Sequence, residues 1–367
     1  MATGNGLRLE IGNKVIGFGG HIQIRNYQPS TTYQQSPVAL HDSTIAVIQQ
    51  LNQVEAVHGF AQKAGILTTD ELFEGAILKG VSKTYPLQNF GKYLVSGHLP
   101  AIADSGYSDS ILISQTLCKK LKLNLGDKVR MYFVREAPKP PLMRKWYISG
   151  IYQTDFDEID QNFIIGDIKH IQRMNKWEPN EIGGYEVYLN SEENLAETTQ
   201  QIRTLLPFEI DAHSVRDLNE QLFQWLDLFD LNIYLIILIM IAVATVNMSI
   251  ALLILIIERT NMIGILKALG STNLSIRKIF LTHALRLIGK GLFWGNLIGI
   301  GLCLLQQQFG WVKLDPSTYY VSQVSIDLNP LHLIILNATT LVICLICLIL
   351  PSYLITRISP VKAIKFD

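Results

Sequence analysis

The residues that could do chemistry are few and poorly spaced for it. Gly17-Phe18-Gly19-Gly20 is glycine-rich, but no G-x-x-x-x-G-K-[ST] run occurs, so no P-loop lysine is present to hold nucleotide phosphates. Cys344 and Cys347 have the C-x-x-C spacing of a redox pair. They stand in an uncharged apolar run, where thiols stay protonated, so packing is the better reading. Asp155, Asp157, Glu158 and Asp160 bunch as calcium ligands do. The EF-hand pattern fails there, because its glycine position holds Asp160 and its closing glutamate position holds Gly166. A solvated loop is expected instead. The eight histidines are scattered without an H-E-x-x-H, and G-x-S-x-G is absent. No catalytic residue, no metal site and no cofactor is expected in this chain.

The elements around these residues explain the poverty. Of the 367 residues 49% are hydrophobic and 17% charged, and the net charge is zero, which points away from nucleic acid. Four cysteines are too few for a disulfide scaffold. The apolar residues are unevenly placed. Residues 235–257 carry no charge, and 23 residues of helix rise about 34 Å, enough for a hydrocarbon core of ~30 Å. Residues 331–355 are similar, interrupted only by His332, Asn337 and Pro351. Residues 287–305 form a weaker span, since Lys290 lies inside it and must snorkel to the headgroups.

Charge sets the orientation. Residues 258–286 hold Arg259, Lys267, Arg277, Lys278 and Arg286 against Glu258 alone, and the tail adds Arg357, Lys362 and Lys365 against Asp367. By the positive-inside rule both segments are cytoplasmic, the loop 306–330 is outside, and everything before the first span is outside too. Residues 1–6 are no signal peptide. Parity therefore leads us to expect a further span ahead of the chain, with residues 1–20 as its outer end. The expected organisation is an outer domain at 21–213, a stalk helix at 214–230, and a span at 231–257. A cytoplasmic segment at 258–283, a span at 284–305, the outer loop at 306–330, a span at 331–355 and a tail at 356–367 follow.

The expected fold class is an α+β membrane protein: a mixed α/β extracytoplasmic domain followed by three transmembrane helices of an expected four. Within the outer domain, strands are expected at 21–24, 54–67, 128–134, 146–153, 162–165 and 185–189. Helices are expected at 42–51 under a cap at Asp42 or Ser43, at 110–121, and from Ser191 to 206. Ser214 should open a further helix reaching 229. Two subdomains are plausible, without a boundary that can be placed.

After the first span stands Glu258-Arg259-Thr260-Asn261-Met262-Ile263-Gly264-Ile265-Leu266-Lys267-Ala268-Leu269-Gly270-Ser271-Thr272. Physically it suits a short amphipathic helix that seats in a partner's groove, or equally a loop drawn to anionic lipids. Gly270 onward supplies a stop and a new cap. The segment resembles the ER-x-x-EIG-x-LKALGAT signature of FtsX-like permeases, the membrane subunits of mechanotransmitting ABC transporters. Met262 departs from it, replacing the usual acidic residue. Upstream, residues 14–24, Gly97-His98-Leu99-Pro100 and 121–129 resemble the lipoprotein-releasing, Lol-type branch, which favours arginine where His98 stands.

The resemblance implies a partner ATPase dimer that binds ATP and magnesium, touching Glu258, Arg259, Gly264, Ile265, Leu266, Lys267, Leu269 and Gly270. It implies a second permease subunit, the same or paralogous, and a lipoprotein client. Residues 134–146 resemble in position the hairpin that holds a periplasmic lipoprotein chaperone, with Pro138, Pro140, Pro141, Leu142 and Met143 at its tip; an ordinary exposed loop is the other reading. Gly291, Gly295 and Gly299 recur every fourth residue in the middle span, a stripe suited to close helix packing. Rival functions within the resemblance are MacB-type export of drug or peptide and FtsX-type control of cell-wall hydrolases.

Overall fold

The first two thirds of the chain, where short apolar runs alternate with polar residues, build a sheet. The computed structural model describes residues 2–27, 35–102, 106–135 and 139–357. Its strands are β1 (Ile22–Asn26), β2 (Val54–Thr68), β3 (Phe73–Val81), β4 (Leu94–Gly97), β5 (Ser110–Ser114), β6 (Lys128–Phe133), β7 (Leu142–Tyr152), β8 (Phe163–Asp167), β9 (Gly184–Leu189) and β10 (Ile210–Ser214). The chain divides into two compact units. A sheet unit holds the described residues of 9–223 and 314–322; a helical unit holds those of 1–8, 224–313 and 323–367.

The long strand β2 organises the sheet unit. Its second half pairs with β3 on one edge and, at Ile66–Thr68, with β6 on the other. From β3 the ladder runs through β8, β5 and β7 to β6, so it closes on itself as a ring of six strands. The first half of β2 pairs instead with β9, which carries β1 and β10 as an open arm. The two expected subdomains therefore share β2 rather than meeting at a boundary. Phe60, Leu78, Ile111, Ile113, Phe133 and Trp146 fill the interior, each no more than 1% exposed. β4 joins the edge of β7 at Gly97 (φ +82°), where a Cβ would stand 2.3 Å from the Ser149 carbonyl oxygen.

Several expectations are corrected. Residues 110–121 are not one helix: Ser110–Ser114 is the parallel neighbour of β7, and only α3 (Gln115–Leu121) is helical, capped by the Ser114 hydroxyl. His41, not Asp42 or Ser43, precedes α2 (Asp42–Gln49), while Asp42 sits in the first turn, where it favours the helix dipole. Asn194, not Ser191, precedes α6 (Leu195–Leu205). The acidic stretch folds as α4 (Asp157–Asn162) and is not all solvated. Asp160 is 2% exposed and accepts from Thr154 N, Thr154 Oγ1 and Asp155 N at 2.7–3.1 Å. The remaining helix at this level is α5 (Ile168–Asn175), which the charge-rich sequence hid.

The expected stalk breaks in two. Ser214 and Asp217 form a capping box on a short α7 (Val215–Leu218), and Asn219 interrupts before α8 (Glu220–Glu258). α8 then continues without a break into the first span. Its 39 residues extend about 58 Å, well beyond a ~30 Å hydrocarbon core. α10 (Asn273–Phe309) and α12 (Pro330–Ser352) are likewise long and apolar enough to cross a membrane. At the chain's beginning α1 (Ala2–Gly19) has its first two turns in the helical unit and the rest in the sheet unit.

The outer loop between α10 and α12 does not stand alone. Its residues 314–322, with the short α11 (Pro316–Tyr319), belong to the sheet unit. Val321 is fully buried, the Tyr320 ring stacks on Phe156 at 4.9 Å, and Lys14 Nζ donates to the Tyr320 carbonyl at 3.1 Å. Burial lowers the pKa of Lys14, against the pull of Glu10.

Candidate functional site

The expected coupling residues gather at a tight corner of the helical unit. Arg259 (φ −101°, ψ 19°) ends α8, and α9 (Thr260–Ala268) begins at once. Gly270 takes φ +91°, a left-handed value that favours glycine, and Thr272 then caps α10, its hydroxyl accepting from Ser275 N at 3.3 Å. One face of α9 is locked inward. Ile263 is fully buried in a cluster with Leu252 and Ile256 of α8, Ile276 and Phe280 of α10, and Leu348 of α12, with Leu266 at its margin. Gly264 is buried as well. The opposite face is bare: Met262 is 39%, Ile265 51% and Leu269 78% exposed. Glu258 and Arg259 are exposed beside it, and Lys267 Nζ donates to the Ile355 carbonyl at 2.6 Å.

Among the described residues nothing packs closely on the glycine stripe. A Cβ added at Gly291, Gly295 or Gly299 meets nothing within 4 Å. α10 approaches α12 by another side, where Asn296 and Asn337 exchange hydrogen bonds of 2.9 and 3.3 Å. Cys344 is buried, with its Sγ 3.8 Å from Thr245 Oγ1, and Cys347 is free and half-buried. Among the described residues no group of three His, Cys, Asp or Glu side chains is placed to hold a metal.

The expected chaperone hairpin is β6–β7. Pro138 lies outside the described residues. Pro140 and Pro141 are exposed at the turn, and Arg135 Nε donates to the Pro140 carbonyl at 2.8 Å. Leu142 and Met143 are not at the tip: they are already strand, opposite Phe133 and Tyr132. The alternation of the hairpin buries Val129, Met131, Phe133 and Trp146, and turns Lys128, Tyr132, Met143, Lys145 and Tyr147 outward. Arg130 stands directly opposite Lys145, two cations paired across a ladder, with Asp70 ion-paired to Arg130.

A buried polar network escaped the sequence reading. Lys79 of β3 is 1% exposed and Glu186 of β9 is 0% exposed, with Nζ to Oε1 at 2.7 Å. Tyr85 Oη donates to Glu186 Oε2 at 2.9 Å and contacts Tyr188 Oη at 3.3 Å. Burial lowers the pKa of Lys79, with Glu186 opposing, and the same burial raises Tyr85 and Tyr188 well above the usual phenol value. Lys79 also donates to the Phe18 carbonyl in the last turn of α1. A charge at an inward position of each strand was the signal available, because β9 is otherwise a continuous buried run.

These features define a class: a membrane protein with a mixed α/β outer domain, long helices able to span, and a short helix displayed at the corner between two of them. The family follows from comparison. Residues 1–205 match the MacB-like periplasmic core domain and residues 234–360 the FtsX-like permease C-terminal domain. The chain belongs to the FtsX-like, MacB-type permeases of ABC transporters, and its sheet unit is the periplasmic domain of an inner-membrane protein. It is similar to the "Lipoprotein-releasing system transmembrane protein LolC" of Haemophilus influenzae, 22% identical over 70% of this chain; the match spans 64% of that relative's length. The LolC protein of Xylella fastidiosa (strain 9a5c) is 18% identical over the whole of this chain and 89% of its own. Among solved structures, the periplasmic region of MacB from Actinobacillus actinomycetemcomitans aligns at 15% identity and TM-score 0.38, covering 57% of this chain and 95% of that one.

Proposed function

We propose that this chain is the permease subunit of a mechanotransmitting ABC transporter that releases lipoproteins from the outer leaflet of the inner membrane. The energy comes from a separate ATPase dimer, which binds the ATP and magnesium. The observation that carries the reading is the two-faced corner at α9. Ile265 and Leu269 are bare apolar side chains that fit a groove on a partner, while Ile263 and Gly264 are locked against α8 and α10. A push on the bare face therefore moves both long helices. α8 carries that motion without a hinge from Glu258 to Glu220, where Asn219 is the first break.

A lipidated client suits such a machine, since acyl chains resist leaving the bilayer by ~0.8 kcal/mol per buried methylene. The names of the similar proteins support the same class of client. A second permease subunit, the same or paralogous, completes the assembly, and the uncovered stripe Gly291–Gly295–Gly299 is a surface on which another helix can approach closely. The β6–β7 face serves a lipoprotein chaperone. Residues 119–145 hold nine Lys or Arg against two Asp or Glu, and a groove of about 550 Å³ is lined by Lys122, Lys128, Arg130 and Lys145 together with Asp70, Glu71 and Asp127, so the partner's docking face carries charges of both signs.

The test is capture of the full chain with its ATPase, followed by an assay of lipoprotein release from membranes. ATP-dependent release is expected. Drug or peptide export without lipoprotein release would favour the MacB-type reading, which the match over residues 1–205 keeps in view. Ile265→Glu or Leu269→Glu should abolish ATPase association; survival of association would remove α9 as the docking site.

A further inference from the structure

We propose that the buried Lys79–Glu186 pair is the fastening point by which α1 moves the periplasmic sheet, a positioning role that rests on the transport reading above. The last four carbonyls of a helix lack partners within it. In α1 all four are taken. Ile16 O accepts from Gly20 N at 2.7 Å, Gly17 O from Tyr188 Oη at 3.4 Å, and Gly19 O from Gln23 Nε2 at 2.8 Å. Phe18 O accepts from Lys79 Nζ, and Tyr85 Oη, whose proton goes to Glu186, lies 3.4 Å away. The Phe18 ring also lies 4.3 Å below the ammonium.

Gly20, left-handed at φ +71°, already ends α1 in the usual glycine manner, and water would satisfy the remaining carbonyls far more simply than side chains do. Here three of them are held by side chains from β1, β9 and the β3 region. An ammonium at this end also complements the helix dipole. Stability does not account for the arrangement, because a well-packed apolar pair of similar volume does as well as a buried ion pair or better. Directionality does account for it. One Nζ touches the α1 backbone, Glu186 of the open arm and Tyr85, and it is carried by β3 of the closed ring. α1 cannot slip or turn against either part of the sheet without taking the Phe18 carbonyl away from a buried ammonium. A methionine in its place would hold by contacts that permit sliding.

The test uses the full chain reconstituted with its ATPase in lipid vesicles and the variant Lys79→Met/Glu186→Leu. Expected are unchanged ATPase association and ATP turnover, amide hydrogen exchange at 17–21 at least 10-fold faster, and lipoprotein release at least 10-fold lower. Tyr85→Phe/Tyr188→Phe keeps the Lys79–Glu186 ion pair and the Lys79 bond to Phe18 O, and loses the hydroxyl contacts to Gly17, Phe18, Lys79 and Glu186, so it should show both effects in smaller measure, about 3-fold. This second variant decides the matter if the first does not fold. A folded variant with unchanged exchange at these amides, or with release within 2-fold of wild type, overturns the proposal. Wild-type protein that hydrolyses ATP yet releases no lipoprotein sinks the transport reading instead, and leaves the exchange result to judge the fastening.

Discussion

In the sheet unit Lys79, Glu186 and Asp160 are no more than 2% exposed, while in the helical unit Leu238, Ile298 and Ile334 are 60–68% exposed. The two regions handle polarity in opposite ways because the medium around each differs. Water outside the sheet unit rewards burial of apolar surface, and charges caught within must be matched by partners. Lipid outside the helices removes that reward, so apolar side chains face outward, and contact between helices relies on small residues and on amide pairs such as Asn296–Asn337. Precision is therefore concentrated in the polar core of one unit and at the helix corner of the other.

The comparison can be broken most forcefully at Lys79. Lys79→Met alone strands Glu186 and should cost about 3–5 kcal/mol in denaturant unfolding of the sheet unit, with most of the loss recovered on adding Glu186→Leu. Asp160→Ala frees the amides of Thr154 and Asp155 in a buried turn, and about 2–3 kcal/mol should be lost in the same measurement.

Acid gives the next effect. His21 Nδ1 accepts from Leu189 N at 3.0 Å, and burial drags its pKa from 6.5 down to about 4. The unfolded chain takes up this proton as pH falls through 6.5, whereas the folded chain resists until about 4. The contribution is complete above pH 6.5 and shrinks between 6.5 and 4. It amounts to about 1–2 kcal/mol after allowance for partial exposure. His58 and His170 are lowered by burial too and act in the same sense. Thermal midpoints measured from pH 7 to 4.5 should fall, and fall less steeply in His21→Asn, whose amide oxygen can still accept from Leu189 N.

The helical unit should respond weakly by contrast. Asn337→Leu removes an amide pair between spans and should cost about 0.6–1.7 kcal/mol in detergent unfolding. Gly295→Leu should change the stability of the isolated chain by less than about 0.5 kcal/mol, since among the described residues an added Cβ meets nothing within 4 Å. A larger loss there would mean the stripe is packed within the chain, and the contrast between the two units would weaken.

Much of the helical unit was legible because uncharged runs longer than a bilayer leave few alternatives. The corner at Gly270 and Thr272 was legible from turn and cap residues. The sheet unit was less so. Ser110-Ile111-Leu112-Ile113-Ser114 is a short apolar run that fits helix or strand equally, and pairing with β7 and β8 decided it. Asp160 looked solvated because its neighbours are acidic, yet a buried turn needed one carboxylate to satisfy its amides. Leu142 and Met143 looked like tip residues because the prolines precede them, but ladder partners in β6 had already claimed them.

By itself the sequence determined the long apolar helices able to cross a membrane and the short helix between two of them, since these depend on hydropathy and capping over neighbouring residues. Only the tertiary structure decided that β2 belongs to a closed ring and an open arm together, and that Lys79 and Glu186, more than a hundred residues apart, meet under the last turn of α1. Such meetings depend on strand register and on where a charge finds its partner in a dry core, and neither is written in local periodicity.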